Sequence, residues 1–388
     1  MAQPKRKLED ITKLPRVKST DPKMYRPNSP ELIKQPAIQT ILTRLKRKAI
    51  TTQREYTLNT EAWREGLKKH PDQEYTEEIL RRNSNSPDGG WSISSQNVEW
   101  ECDAEYSITI EEACAGLEKL EQMLGQGYVI GPFLEEKDYP EGLTPANSTI
   151  APLFFKLEYK PDGKGGVKKK HRLLSDFSCR HNGTALNDKI PDDEKTVHYI
   201  TLHQLVEWIQ SQDLQWLWAI DAQDAYYRMP IQKHLVKSLG VKLAGVTFHF
   251  TCLVMGIASA CRLYTEFAEV VKWIIMNDSP ELFLWKSMHK KGGQTEIVEM
   301  LKNYIDDFIG GAREKEVADQ QYQKTIEWWN KLNIPPQIDK CSPPDQLVRY
   351  LGFILNAKDR VLTPTKERLA KYHEGLNTIT NKAKGENV

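Results

Sequence analysis

The 388-residue sequence contains no apolar run approaching the ~20 residues that a membrane span requires. Its N-terminus is polar throughout, so no cleavable signal peptide is expected. Cysteine is sparse. The six residues Cys102, Cys114, Cys179, Cys252, Cys261 and Cys341 include no CxxC pair, which suggests neither a zinc site nor a disulfide framework. Reduced, intracellular thiols are the expectation. An excess of one charge is missing too: 54 Lys and Arg balance 53 Asp and Glu, for a net +1. The broad basic surface of many small nucleic-acid-binding domains is thereby excluded, and positive patches must be sought locally. What is present is 39% hydrophobic residues with ten Trp, enough for a sizeable core. The length suits two or three domains or one multi-lobed fold.

Residues 1 to 105 show little aliphatic periodicity and read as an N-terminal extension, partly helical and partly flexible. Pro4-Lys5-Arg6-Lys7 could be a nuclear-localisation signal, although any exposed tail can carry such a cluster. Arg44-Leu45-Lys46-Arg47-Lys48 sits on a helix expected from Glu31 to Ile50; it could meet a phosphate backbone or simply be a solvated face. Asn83 to Gly90 is turn-rich and reads as a linker. Thr109 and Glu112 form a capping box for an ordinary amphipathic helix, stopped by Gly125 and Gly127. Two strands follow, Ala151–Tyr159 and one containing Leu173-Leu174, joined by the flexible loop Lys160–Gly166. The basic run Lys168–Arg172 suits a polyanion, because Arg offers a planar fork and Lys a compact charge. A solubilising loop is the competing reading.

Two segments carry chemistry. Trp216-Leu217-Trp218-Ala219-Ile220 is nearly all apolar, as expected of a strand covered on both faces, and delivers Asp221 at its end. A buried strand-end carboxylate must be paired, hydrogen-bonded or metal-bound, unless it merely caps the next helix. Downstream, Leu301–Gly311 reads as a tight hairpin with Asp306-Asp307 at its tip and Gly310-Gly311 closing the run. Two adjacent carboxylates repel in a low-dielectric fold and need a positive partner to stay ionised; a solvated turn is the bland alternative. Between these segments, Met255-Gly256 precedes a long helix whose stripe Leu263, Phe267, Val270, Val271, Ile274 and Ile275 is core. Gly256 permits close backbone approach to a ligand or simply a tight turn. Arg349–Leu355 reads as a strand containing a glycine, and Thr363 with Pro364 opens a last helix bearing Leu369, Tyr372, Leu376 and Ile379 on one side.

Asp221-Ala222-Gln223-Asp224-Ala225-Tyr226, Met255-Gly256-Ile257-Ala258-Ser259-Ala260, Tyr304-Ile305-Asp306-Asp307, Lys340 and Tyr350-Leu351-Gly352-Phe353 stand in the order of the palm motifs of reverse transcriptases. Lys170-His171-Arg172-Leu173-Leu174-Ser175-Asp176 resembles their fingers motif. The fuller wording looks most like tyrosine-recombinase retroelements (the DIRS group), on Arg172–Ser178, on Leu186-Asn187-Asp188, and on Ala260-Cys261-Arg262 where that group tends to have Ala-Pro-Arg. Cys261 in place of the proline is expected to alter only the helix entry. Six ordered blocks over roughly residues 150 to 360 are far more specific than any one motif.

The resemblance implies an α+β right-hand polymerase. Residues 106–215 would be fingers. Residues 216–360 would be a palm of antiparallel strands over helices, with a fingers portion inserted at about 228–256, and 361–388 a C-terminal helix left from a thumb. The implied activity is RNA-directed DNA synthesis on a primed RNA or DNA template from deoxynucleoside triphosphates. Two Mg²⁺ ions (or Mn²⁺) about 4 Å apart would be held by Asp221 and Asp306, with Asp307 a weaker contributor. Lys170 and Arg172 would bind the triphosphate, Ala222 and Gly256 would lie against the nucleotide, and Tyr226 would exclude a 2′-hydroxyl. Lys340 would act on the pyrophosphate leaving group, and Tyr350 and Gly352 would support the primer. A template-dependent RNA polymerase is disfavoured by Tyr226. Too little chain follows Tyr350–Phe353 for a full thumb, so weak processivity or a partner supplying thumb or ribonuclease H function is expected; with ribonuclease H, protease and recombinase segments missing, the chain is expected to be either a polyprotein fragment or a stand-alone gene product. The alternative is a palm protein that binds nucleic acid or protein with its site unused.

Overall fold

A computed structural model describes residues 23–51, 58–84, 86–93, 100–101, 106–161, 167–286 and 296–383. The basic cluster at 4–7, the loop at 162–166 and Cys102 lie outside the described residues. Four helices lead: α1 (Pro30–Ile33), α2 (Pro36–Lys46), α3 (Thr60–Leu67) and α4 (Gln73–Arg82). Strand β1 (Trp100–Glu101), helix α5 (Ile110–Gln126) and strand β2 (Val129–Phe133) precede a long hairpin of β3 (Thr149–Pro161) and β4 (Val167–Ser175). Helix α6 (Leu202–Ser211) enters β5 (Trp216–Asp221), and the hairpin β6 (Gly240–Leu243)/β7 (Val246–Phe250) precedes α7 (Ala260–Asp278). Then come α8 (Pro280–Phe283), β8 (Leu284–Lys286), β9 (Ile297–Glu299), β10 (Leu301–Tyr304), β11 (Asp307–Ala312) and α9 (Lys315–Lys331). The chain finishes with β12 (Ser342–Asp345), β13 (Leu347–Tyr350), β14 (Phe353–Asn356), β15 (Val361–Pro364) and α10 (Lys366–Ala383).

The result is an α+β fold, as expected. A four-stranded sheet ordered β10-β11-β5-β12 lies at its centre. Side chains alternate across a strand, so Trp218 and Ile220 face one layer while Leu217 and Ala219 face the other. The first pair joins the main core with α7 and α9; the second joins a separate cluster with Leu205, Trp208, Val348 and Leu355. Both faces are therefore covered, which is why β5 reads as a continuous apolar run. A six-stranded sheet, β1-β3-β6-β7-β2 with β4 paired to β3, stands beside it.

Several expectations change. Pro36 splits the helix expected from Glu31 to Ile50 into α1 and α2, since a proline lacks the amide that a continuous helix would use. Arg44 and Lys48 both pair with Glu121 of α5, so half of that basic cluster is spent inside the protein. Asn83–Gly90 is no linker: buried Asn83 accepts the Trp91 indole N–H at 2.9 Å, locking the segment to the core. Arg349–Leu355 is a hairpin, not one strand, because Leu351 and Gly352 take left-handed φ of 47° and 77° between β13 and β14. Thr363 and Pro364 lie in β15; Thr365 opens α10, accepting from the Leu369 amide, and leaves Leu369 and Tyr372 exposed. Cys179 is disulfide-bonded, against the expectation of uniformly reduced thiols, while Cys114, Cys252, Cys261 and Cys341 are free. Bridging depends on spatial approach of the Cα atoms, which spacing in sequence does not reveal.

The glycines expected to close the Leu301–Gly311 hairpin sit instead within β11, opposite β5. A Cβ on Gly310 would come 2.1 Å from Cζ2 of buried Trp218. Gly310 is the gap that the indole fills. Gly310→Ala is expected to lower the urea midpoint at constant m, a loss of about 2 kcal/mol from overpacking; an unchanged midpoint would refute this packing account.

Candidate active site

Strand register brings the acidic residues together. In the antiparallel pairing of β11 with β5, Asp307 lies directly opposite Asp221. Tyr304 pairs with Asp307 across the hairpin, leaving Ile305-Asp306 as its two-residue turn. Ile305 takes φ +56°, a position that primed hairpin turns usually give to Gly, Asn or Asp. From the opposite face, buried Tyr350 donates its hydroxyl to the Asp307 carbonyl at 2.9 Å. The Gln337 amide donates to the Asp221 carbonyl at 2.8 Å, tying the 335–337 segment alongside. Asp221 does not cap the turn that follows, for which Asp224 holds the cap position. Instead its Oδ1 accepts from the Lys340 ammonium at 2.7 Å.

Burial and crowding act on these carboxyls in one direction. The Asp307 carboxyl is pushed up to about 7, first by burial, then by Asp306 and Asp221 beside it, with Lys340 opposing. Asp306 is raised by burial and by Asp221. Burial works to lower the Lys340 ammonium, yet its hydrogen bond to Asp221 holds it above its ordinary value. Three hard oxygen donors short of positive charge are the donor set that Mg²⁺ favours. Among the described residues, however, no group of three or more His, Cys, Asp or Glu side chains is arranged to hold a metal ion. In this structure the counter-charge is Lys340, whose ammonium is paired with Asp221.

The acidic cluster opens into a cavity of about 650 Å³. Ala222 and Tyr226 line it on the side of Asp221; Lys119, His171 and Arg172 line it from α5 and β4. Arg172 is engaged: its Nε donates to Glu158 at 2.9 Å. Lys170 pairs with Glu158 in backbone register, and its side chain lies outside the described residues. Gly256 has φ +108°, and a Cβ there would meet the Ser175 carbonyl oxygen at 2.3 Å, so it serves a close backbone approach; neighbouring Met255 lines the cavity. Gly352 lies in the β13–β14 turn, and of the two it is Tyr350 whose hydroxyl reaches the acidic hairpin.

Sequence reasoning missed other participants. Helix α5 read as having no chemistry, yet Lys119 reaches the cavity with the neutral Gln122 amide as its partner at 3.2 Å. Asn187 clamps the turn before α7, donating to the Gly256 carbonyl at 2.7 Å and accepting from the Ala258 amide at 2.9 Å. Only the Leu186-Asn187-Asp188 wording hinted at it. Fully buried Tyr264 packs beneath Tyr226 and feels all three carboxylates.

No protein-family model and no curated protein sequence matches the chain. Among solved structures it is similar to the foamy viral protease-reverse transcriptase in complex with RNA/DNA hybrid (TM-score 0.49, 16% identity, 86% of this chain and 37% of that one). It is also similar to native prototype foamy virus protease-reverse transcriptase (TM-score 0.48, 15% identity, 85% and 35%). A dRH form of the foamy viral enzyme in complex with double-stranded DNA gives TM-score 0.47 and 15% identity over 81% and 49%. The chain thus spans less than half the length of these three structures. The likeness does not extend to activity, substrate or partners. The tyrosine-recombinase group finds no support in it.

A carboxyl that holds its proton more tightly folded than unfolded favours folding at low pH. That contribution is complete below about pH 4 and is lost as pH rises through the folded value. With Asp307 at about 7, Asp307→Asn in chelator-treated protein is expected to gain stability over the parent as pH rises from about 4 to about 7, by roughly 1–3 kcal/mol. Thermal unfolding across that window is the measurement. A parent–variant difference independent of pH would remove the coupling argued for the cluster.

Proposed function

We propose that this chain is an RNA-directed DNA polymerase transferring a nucleotide from a deoxynucleoside triphosphate to a primer 3′-hydroxyl. The observation that carries the reading is the β5–β11 register, which sets Asp221 against Asp307, with Asp306 beside them, at one wall of a cavity with cations on the other. In this reading residues 106–215 act as fingers and 216–360 as palm, the portion at about 228–256 belongs with the fingers, and the last helix stands for a short thumb. Kinship with tyrosine-recombinase retroelements rests on motif wording alone.

Asp221 and Asp306 would hold two Mg²⁺ ions, with Asp307 contributing less directly. Bound there, the ions would activate the 3′-hydroxyl and neutralise developing charge on the phosphates. The remaining work falls to the chain. Lys340, released from Asp221, would meet the charge on the departing pyrophosphate. Arg172, exchanging Glu158 for a phosphate, and Lys170 supply the opposite clamp. Tyr226 and Ala222 form the surface against which the sugar rests, so a 2′-hydroxyl would collide with the Tyr226 ring. Gly256 keeps the backbone behind that surface low. Tyr350 holds the hairpin carrying Asp307 from behind, and Gly352 lets the β13–β14 turn form next to the primer path. Template and primer, RNA or DNA, would be the nucleic-acid partners, and a further protein could supply thumb or ribonuclease H function.

A second reading, a palm protein with an unused site, is favoured by the Lys340–Asp221 pair standing where a cation is needed. Magnesium-dependent extension of a primed RNA template separates the two. Asp306→Asn is expected to reduce extension by at least about a hundredfold, the scale of losing one electrostatic stabiliser of the transition state; undiminished synthesis would end the metal assignment. Tyr226→Ala is expected to raise ribonucleotide relative to deoxynucleotide insertion, and an unchanged ratio would remove its gate role.

A further inference from the structure

Cys261 occupies the first turn of α7, where a proline would also fit because the amide there needs no helical acceptor. A proline, though, would offer no hydrogen-bonding side chain. The thiol here lies 3.3 Å from the Tyr226 hydroxyl. Its position is fixed from behind: Asn187 clamps Gly256 and Ala258, the Ala260 amide donates to the Ile257 carbonyl at 3.1 Å, and the Cys261 carbonyl accepts from the Thr265 hydroxyl at 2.8 Å. One turn along the same helix, Tyr264 meets the Tyr226 ring at a centroid separation of 5.2 Å. Tyr226 is thus held at its hydroxyl by Cys261 and at its face by Tyr264. On the neighbouring side, the ring of Tyr199 lies 4.6 Å from that of Tyr304, the residue across from Asp307 in the hairpin.

Resting on the polymerase reading above, we propose that Cys261 is a positioning residue for Tyr226 that sharpens selection of deoxy- over ribonucleotides. A ring anchored at its hydroxyl cannot tilt away from an incoming 2′-hydroxyl; a ring released from the thiol can.

The experiment is single-nucleotide insertion on a primed template with Mg²⁺, comparing kcat/KM for a deoxynucleotide and its ribonucleotide. Wild-type protein, Cys261→Ala, Cys261→Ser and Tyr226→Phe are compared, with thermal unfolding of each. Cys261→Ala should reduce discrimination by about two- to tenfold, the value of one neutral hydrogen bond. The change should lie mainly in KM for the ribonucleotide, and Cys261→Ser, which keeps a hydroxyl, should restore most of it. Tyr226→Phe removes the same bond from the other side and should give a loss of the same size, so the proposal stays testable if Cys261→Ala fails to fold. Discrimination unchanged in Cys261→Ala or in Tyr226→Phe overturns the proposal while leaving the polymerase reading intact, as does a loss that serine does not restore. Wild-type protein that extends no primer overturns the polymerase reading, and this proposal with it.

Discussion

Mutual repulsion among Asp221, Asp306 and Asp307 is the constraint on which the architecture around them depends. Nothing in the local chain favours placing three carboxyls at one half-buried edge. They are together because β5 and β11 pair in a register that sets Asp221 opposite Asp307, and that register is fixed by what lies further along the strands. Shifting the pairing by one residue would turn Trp218 and Leu217 to the wrong layers, and both layers are fully covered. The core holds the charges in place. The charges in turn recruit Lys340, from a segment that runs alongside Asp221 through backbone hydrogen bonds.

The surrounding elements act on this edge from different directions. Tyr350 supports the hairpin from the second core cluster, and Gly310 makes room for the indole that anchors β5 to α9 through Gln321. Asn187 joins the loop after β4 to the entry of α7 by bonding both the Gly256 carbonyl and the Ala258 amide. Lys119 adds a positive group to the cavity from a helix whose other face is ordinary core. The cavity is consequently assembled from elements far apart in sequence, with carboxylates and cations both in its lining.

Where hydrophobic pattern alone decides, the sequence could be read. The β5 run, the α7 stripe, the α5 capping box and the acidic hairpin all behave as their periods require, and Asp306 and Asp307 are half-buried, not on a fully solvated turn. Where tertiary contact decides, it could not. Asn83 is a turn former by composition but is buried by its bond to Trp91. Gly352 in an apolar run looks like a weak strand interior until its left-handed φ marks a turn. Cys179 depends on an approach that no spacing encodes. Arg172 was legible as a cation near the site, though not its engagement by Glu158 from the neighbouring strand. Lys119 gave no signal, since one lysine on an amphipathic helix is the commonest of surface features.

The left-handed backbone of Ile305 has its own implication for how the protein comes to exist. A β-branched residue in that region is disfavoured by roughly 1 kcal/mol or more, and no side chain at the tip compensates locally. The peptide from Leu301 to Ala312, cut free, would abandon the bend. The acidic apex is therefore a product of completed assembly and not a seed for it, taking its form only once the strands on either side have closed around it.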